Sequence, residues 1–528
     1  MKQIPFAVGQ ASGIAIMPVN ADATNTNTSG GASVFAGLVI SRRGKPGVVL
    51  RVTANNYQSV LGAAIHPRQG AMFEPLRHVE RATKGGDGYV VRVCAPDMKI
   101  PTLALTLNAE TKAFTTTAST MNVGALPALP DGAHALIYID DGDASTSRAI
   151  NLHEDETSEG LFILELQETD AAGTVTILES HQVSFDPEGI TDMGTPAFMA
   201  TALENGSTRL RALVADDAHE EISQLQGELT PVKAIPFAGG SDGDFSKIKA
   251  ADYQKALTVL KKSMFSFTAV LALGCYDSTV IADLDKFSQD IRVDMFYDLQ
   301  GAQTAALAIT EAKSHGLGGS HQSCRYYFPY SCRDVFTGAN VVFGISCEAF
   351  IAKAKGVALV PDVGGWHYAP AGTSRGIISR QNIKPIPNLD EIDLEEFVKA
   401  RINTVAMTEA GDLYIDDYLT TITKNNYLRL QPISSLMNAI ARGFYQVAEA
   451  AKHEPDGVTA TVLTSGMTDL LERFVAAEAL VKPRDTSQGD SPFTLSLTQK
   501  DIDLWELEWA VCPTGSSRRI VGKPMLLR

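Results

Sequence analysis

Runs of apolar residues and their spacing divide the chain into stretches of different texture. Val34 to Ile40 is a continuous apolar run closed by the turn Gly44-Lys45-Pro46-Gly47, which predicts a buried strand. Met72, Leu76 and Val79 recur at helical spacing over 72–81. Gly85, Gly86 and Gly88 stop that helix, and Tyr89 to Val93 reads as a second buried strand. From Pro96 the pattern changes to short runs separated by polar turns. Ala133 to Ile139, Leu161 to Leu166, Thr174 to Leu178 and Gln182 to Phe185 predict a β-rich segment that ends near Pro231. From Val232 strands and helices alternate. Strands are expected at 232–237, 268–273 and 292–295, with helices over 250–261 and from Leu284, so this part predicts a three-layer α/β core.

Two amphipathic helices are expected next. In 435–452 the stripe is Leu436, Ile440, Phe444, Val447 and Ala451, closed by Pro455; in 468–481 it is Leu471, Phe474, Val475 and Leu480. Leu504 to Cys512 then alternates with period two. Trp505, Leu507, Trp509 and Val511 share one face of a half-buried strand. Beyond the turn at 513–516, Ile520, Val521, Met525, Leu526 and Leu527 form an apolar terminal segment, expected to be a strand-like arm. At the other end Gly13, Ile14, Ala15, Ile16, Met17, Pro18 and Val19 suggest a second short strand. Small polar residues from Ala21 to Ser33 read as its linker. An unpaired terminal strand presents open N–H and C=O groups and suits pairing with another subunit's sheet.

Charge sharpens this division. The net charge is −16, but residues 97–232 alone carry −18, whereas 1–96 carry +6. A solvated outer unit fits the acidic segment, and global acidity argues against direct nucleic-acid binding. No apolar run reaches membrane-spanning length and no signal peptide is evident, so no membrane insertion and folding in a cytoplasm are expected. At 528 residues, several domains are expected. The six cysteines form no paired framework and are expected to be free thiols.

Four segments carry candidate chemistry. Gly239-Gly240-Ser241-Asp242-Gly243 fits the nucleophile-elbow pattern and follows a predicted strand, but no helix begins at the serine. A turn that docks a helix is the expected reading, with a cytoplasmic α/β serine hydrolase using Ser241 as the alternative. His321, Cys324, Cys332 and Cys347 miss the usual zinc spacings. Asp140, Asp141 and Asp143 lack the rest of a calcium loop, so a solvated hairpin turn is expected there. Gly85-Gly86-Asp87-Gly88 precedes a strand, which does not suit a phosphate cradle. No catalytic residue, metal or cofactor is expected. A third reading is a soluble binding module built on 97–232.

Taken in order, several segments resemble the contractile tail sheath family of phages and R-type pyocins. Gly37 to Pro46 is similar to its first core strand and turn, and Phe73 to Val93 to its helix, glycine break and Val-Val-Arg-Val strand, which includes Arg92. Phe237 to Gly243 resembles its Gly-Gly-x-Asp-Gly turn, with Gly239, Gly240, Asp242 and Gly243. Asp252-Tyr253 and Ala256-Leu257 follow on the next helix. Arg292 to Asp298 and Tyr326 to Tyr330 match two further segments. Gly365 to Gly372, with Trp366, Pro370 and Gly372, is close to the family's Gly-x-Trp-x-Ala-Pro-Ala-Gly signature, and Arg401-Ile402-Asn403 to the start of its C-terminal domain. The family's Gly-x-Arg-Thr strand is not visible near Tyr414 to Thr420, and its paired arginines are replaced around Arg429.

The resemblance implies an α/β core with an inserted β-rich protruding domain and extended N- and C-terminal β-arms. The expected boundaries are an arm and linker over 1–33, core over 34–96, acidic insertion over 97–231, core again over 232–400 and a C-terminal domain over 401–528. It further implies self-assembly into stacked hexameric rings around an inner tail tube protein, with baseplate and neck or terminator proteins as further partners. The assembly would be part of a virion, built in the host bacterial cytoplasm. Contraction would drive the tube through the host envelope for genome ejection.

Overall fold

The computed structural model describes residues 33–65, 75–485, 487 and 489–521. Its centre is a seven-stranded sheet in the order Ile402–Asn403, Ser323–Tyr326, Asp294–Asp298, Ala269–Leu271, Val34–Ile40, Asp87–Val93, Val49–Val52. All neighbours run parallel except the last pair. A parallel sheet needs cover on both faces, and the side-chain alternation supplies it. Ala36, Leu38 and Ile40 point to one face and pack with Tyr253 and Leu257 of helix Ala250–Lys262, Ile281 and Leu284 of helix Ser278–Asp290, and Ala308 of helix Ala305–Ser314. Phe35 and Val39 point to the other, against Leu76 and Val79 of helix Pro75–Ala82 and Phe350 of helix Ser346–Val357. The three-layer core expected from the sequence is therefore present. Gly88 is fixed by packing, since a Cβ there would lie 2.1 Å from the Phe35 ring.

Residues 99–236 form two four-stranded antiparallel sheets. One has the order Leu210–Val214, Ala135–Ile139, Lys99–Asn108, Ala113–Asn122; the other Val232–Pro236, Ser147–Glu154, Phe162–Thr169, Val175–Val183. The segments expected as separate strands at 174–178 and 182–185 fall largely in one strand, Val175–Val183, whose ladder continues through Glu179, Ser180 and His181 after a register shift between Ile177 and Glu179. Leu105, Ile137, Leu152, Leu164 and Phe185 share a core between these sheets. No residue of that core lies outside 103–237, and the clusters flanking the central sheet take none from 96–244. The β unit and the α/β unit thus bury their apolar surface separately.

The C-terminal unit pairs helix Gln431–Ala451 with helix Asp456–Ala476 and lays the hairpin Phe493–Asp501/Leu504–Val511 against them. The second helix starts twelve residues earlier than the periodicity suggested. Thr459, Thr461, Thr464, Ser465 and Gly466 blur its apolar stripe, yet a Cβ at Gly466 would sit 2.8 Å from Val447, so a small residue serves close helix approach there. The strand expected over 292–295 instead runs Asp294–Asp298. Arg292 adopts φ 55° in the turn after the preceding helix, a conformation that does not extend a strand.

Candidate functional site: two junctions and a terminal hairpin

The residues singled out by motif fall into three places. The first is the junction between the α/β unit and the β unit. Arg92, buried at 3% exposure, donates from Nε to the carbonyl of Ser41 at 3.0 Å, from Nη1 to that of Gly44 at 3.1 Å and from Nη2 to that of Arg42 at 2.7 Å. One guanidinium thereby shapes the turn after the first strand. That turn presents Arg42 to Asp242 at 3.1 Å and Arg43 to Asp143 at 2.7 Å; Arg43 also reaches Thr146 at 2.8 Å and Glu168. Lys45 meets Glu204 at 2.7 Å.

The chain returns to the α/β unit through Gly239, Gly240, Asp242 and Gly243. Gly239 and Gly243 have φ of 76° and 75°, which favours glycine, and a Cβ on Gly243 would crowd Asp97, Met98 and Ala95. Burial raises Asp242 to about 6, against the pull of Arg92 and Arg42.

Two chemical expectations resolve at this junction. Ser241 is not on an elbow. Its backbone exchanges hydrogen bonds with Lys99 at 3.1 and 2.9 Å, its hydroxyl accepts from the Gly243 N–H, and the next α-helix starts only at Ala250. Asp140, Asp141 and Asp143 do not form a solvated turn. They are 7%, 2% and 3% exposed and pair with Arg211, Arg148 and Arg43. Arg43 and Arg211, distant in sequence, and Arg148, close by, pair with them, so a run of acids that looked like surface is interior. Among the described residues no cluster of three or more His, Cys, Asp or Glu side chains is arranged to hold a metal ion. His321, from the weighed zinc set, shares a 2.8 Å hydrogen bond with Ser434.

The second place joins the α/β unit to the C-terminal helices. Trp366 donates to the Val363 carbonyl at 2.9 Å, and the Arg442 guanidinium lies 5.0 Å over its ring. Lys353, buried at 3% exposure, donates to the carbonyls of Trp366 and Tyr368. Burial lowers Lys353 to about 8 and Arg442 to about 10. Pro370 is buried, and Gly372, with φ 81°, donates its N–H to the Ile415 carbonyl at 2.8 Å. The sequence did not point to Arg442 or Lys353. Arg442 lies far along the chain from Trp366, and a basic residue in a helix, Lys353 included, reads as solvated until its neighbours are known.

The third place is the hairpin. Leu507 is buried at 8% exposure, while Trp505, Trp509 and Val511 are half-buried; Trp509 packs on Phe444 at 5.0 Å between ring centres. Glu506, Glu508 and Ala510 are exposed, as the alternation predicted. The hairpin forms a sheet of two strands only, so its outer edges have no strand partner among the described residues. Beyond the hairpin Ser516 bonds Tyr418 at 2.7 Å and Arg518 engages both carboxylate oxygens of Asp417. Ile520 and Val521 stand 86% and 80% exposed. Gly13 to Val19, Met525, Leu526 and Leu527 lie outside the described residues.

These units, in this order, define a known fold class, that of tail sheath proteins. The sheath tail protein Lin1278 from Listeria innocua matches with a TM-score of 0.55 at 12% identity, over 94% of this chain and 94% of that one. The sheath tail protein from Desulfitobacterium hafniense aligns at a TM-score of 0.49 and 12% identity over 94% of this chain and all of its own. The contracted helical sheath of the anti-feeding prophage aligns at 0.49 and 11% over 98% and 99%. No protein-family model matches the chain, and no curated protein matches it in sequence.

Proposed function

We propose that the chain is a structural, non-catalytic subunit of a contractile tail sheath. The observation that carries this is the match to the Listeria innocua sheath tail protein over 94% of both chains, which spans the α/β, β and C-terminal units together. In this reading residues 97–231 are the protruding domain, 34–96 and 232–400 the core, and 401–528 the C-terminal domain with its arm. The subunits stack as hexameric rings around an inner tail tube, contact baseplate and terminator proteins, and contract to drive the tube through a host envelope. The particle is assembled in the host cytoplasm. The open hairpin edges and the exposed Ile520 and Val521 support strand exchange between subunits, since unpaired backbone groups favour β-augmentation.

A non-catalytic role is supported at the crevice where open α/β sheets bind ligands, beyond the strands' carboxyl ends. Ala95 and Cys275, which follow two of these ends, are buried together with Phe245, Ile248 and Tyr253. Burial pushes the Cys275 thiol up to about 12, which keeps it protonated.

Electron microscopy of the purified chain, with and without residues 520–528, tests the reading. Hollow tubes from the full chain, lost on truncation, are expected. Discrete monomers in both preparations would refute it, and turnover abolished by Ser241→Ala would establish the hydrolase instead.

A further inference from the structure

We propose that the β unit is a rigid body hinged on the α/β unit, its angle set by an electrostatic latch between the turn Ser41–Lys45 and the acidic face of the β unit. The inference goes beyond the sheath reading and holds for the isolated subunit. Its first support is that the units are packed separately: the core of 103–237 and the clusters on the central sheet are distinct, with the buried Met98 on the crossing between them. Where two units have separate apolar cores, polar contacts weigh most in their relative orientation.

Those contacts form one compact set. Arg43 meets Asp143, Thr146 and Glu168, and Lys45 meets Glu204, while beside them Arg42 meets Asp242 of the return crossing. Arg209 of the β unit donates to the Ser59 carbonyl at 3.1 Å from the opposite direction. Both halves are held ready. On the α/β side Arg92 gathers three carbonyls of the turn. On the β side Arg148, 3% exposed, pairs with Asp141 at 2.7 Å and bonds the Asp143 carbonyl, while Asp141 accepts the Asp143 N–H at 3.0 Å. Two buried arginines thus present two loops to each other. Preorganised and partly buried, the Arg43 cluster is worth more than a surface pair.

The hinge is the pair of chain crossings at 94–98 and 238–243, tied by the bridge between Lys99 and Ser241 and by Asp97, which accepts from the Asp244 N–H at 3.0 Å and pairs with Lys247 at 2.5 Å. Gly239, Gly240 and Gly243 on the return crossing give it backbone freedom.

The test is single-molecule energy transfer in the full-length chain. Fluorophores are placed by encoded side chains at Leu126 of the β unit and Met264 of the α/β unit, which are 92% and 95% exposed. Labelled subunits are diluted into unlabelled ones. Arg43→Glu is expected to shift and broaden the distance distribution, and the exchange Arg43→Glu with Glu168→Arg to restore it. Lys45→Glu, at the exposed edge of the latch, produces the same change in smaller degree and serves if Arg43→Glu does not fold. Arg51→Glu, which breaks the exposed Arg51–Asp87 pair inside the α/β unit, leaves the distribution unchanged. Folded Arg43→Glu and Lys45→Glu proteins with the wild-type distribution, or a response to Arg51→Glu equal to theirs, would overturn the latch.

Discussion

The sharpest electrostatic statements concern single buried side chains. His78 is fully buried beside Cys347, with Arg77 on the same helix and Arg380 facing it from a distant loop. Burial, then Arg380 and Arg77, lower its pKa from 6.5 to about 3, so it is neutral in the folded chain. The unfolded chain takes up a proton below pH 6.5 that the folded one refuses. The stability His78 contributes is therefore complete above pH 6.5 and is lost as pH falls toward 3, at about 1.4 kcal/mol per pH unit. Asp140, Asp242 and Asp298, each raised to about 6 by burial, act in the opposite sense as pH falls from 6 toward 3.8, so the whole-chain profile blends both. A His78→Gln variant isolates the histidine. Urea melts at pH 7 and pH 5 are expected to show the wild type losing about 2 kcal/mol more than the variant over that interval. Parallel losses would mean that the imidazole is charged or solvated. None of this was legible from the sequence, where His78 is one polar position in a helix; the groups that fix its charge lie up to some three hundred residues away.

At the scale of elements, sequence and structure agree where local periodicity and burial have the same cause. The hairpin strand Leu504–Val511 is the clearest case, because a half-buried strand must alternate and nothing else in the fold disturbs that pattern. Leu507 lies in the cluster with Met467, Leu471 and Phe474. Leu507→Ala is expected to cost about 2–4 kcal/mol of stability in denaturant melts, and Glu508→Ala, on the exposed face, less than about 0.5. Equal effects would mean that the hairpin does not pack on the helices. Helix Asp456–Ala476 shows the converse. Its threonines and glycines hid its first half, because close approach to a neighbouring helix selects small residues rather than a strong apolar stripe. Strand Val175–Val183 reads as two segments for a related reason, since polar Glu179 and Ser180 sit mid-strand on a sheet that is only partly covered.

For the whole molecule, the motif residues stand between units rather than in a catalytic cleft. Arg92 and Asp242 stand at the crossing between the α/β and β units, while Trp366 joins the α/β unit to the C-terminal helices under Arg442. A large rearrangement that preserves each unit must be carried by such junctions. Trp366→Ala removes the ring under Arg442 and leaves a cavity among Val363, Leu436 and Phe474. We expect calorimetry to show the C-terminal unit melting earlier and apart from the rest, where the wild type melts with the two coupled. A uniform downward shift with no new transition would show that the junction does not couple them.

What the sequence determined by itself was everything governed by neighbours a few positions apart. The buried strands at Val34 and Tyr89, the alternation of strand and helix that makes a three-layer core, the change of texture at Pro96 and the two faces of the C-terminal hairpin all follow from local spacing of apolar side chains. The ordered motifs added the fold. Only the tertiary structure decided where the charges lie. It turned an acidic run that read as solvated into a buried set of arginine pairs, and Ser241 from a weighed nucleophile into a backbone bridge. It also revealed that Arg42, Arg43 and Lys45 face acids of their own chain. The reason is physical. Apolar burial is non-directional and leaves a periodic record in the sequence, whereas an ion pair depends on two side chains meeting in space, and their separation along the chain carries no trace of it.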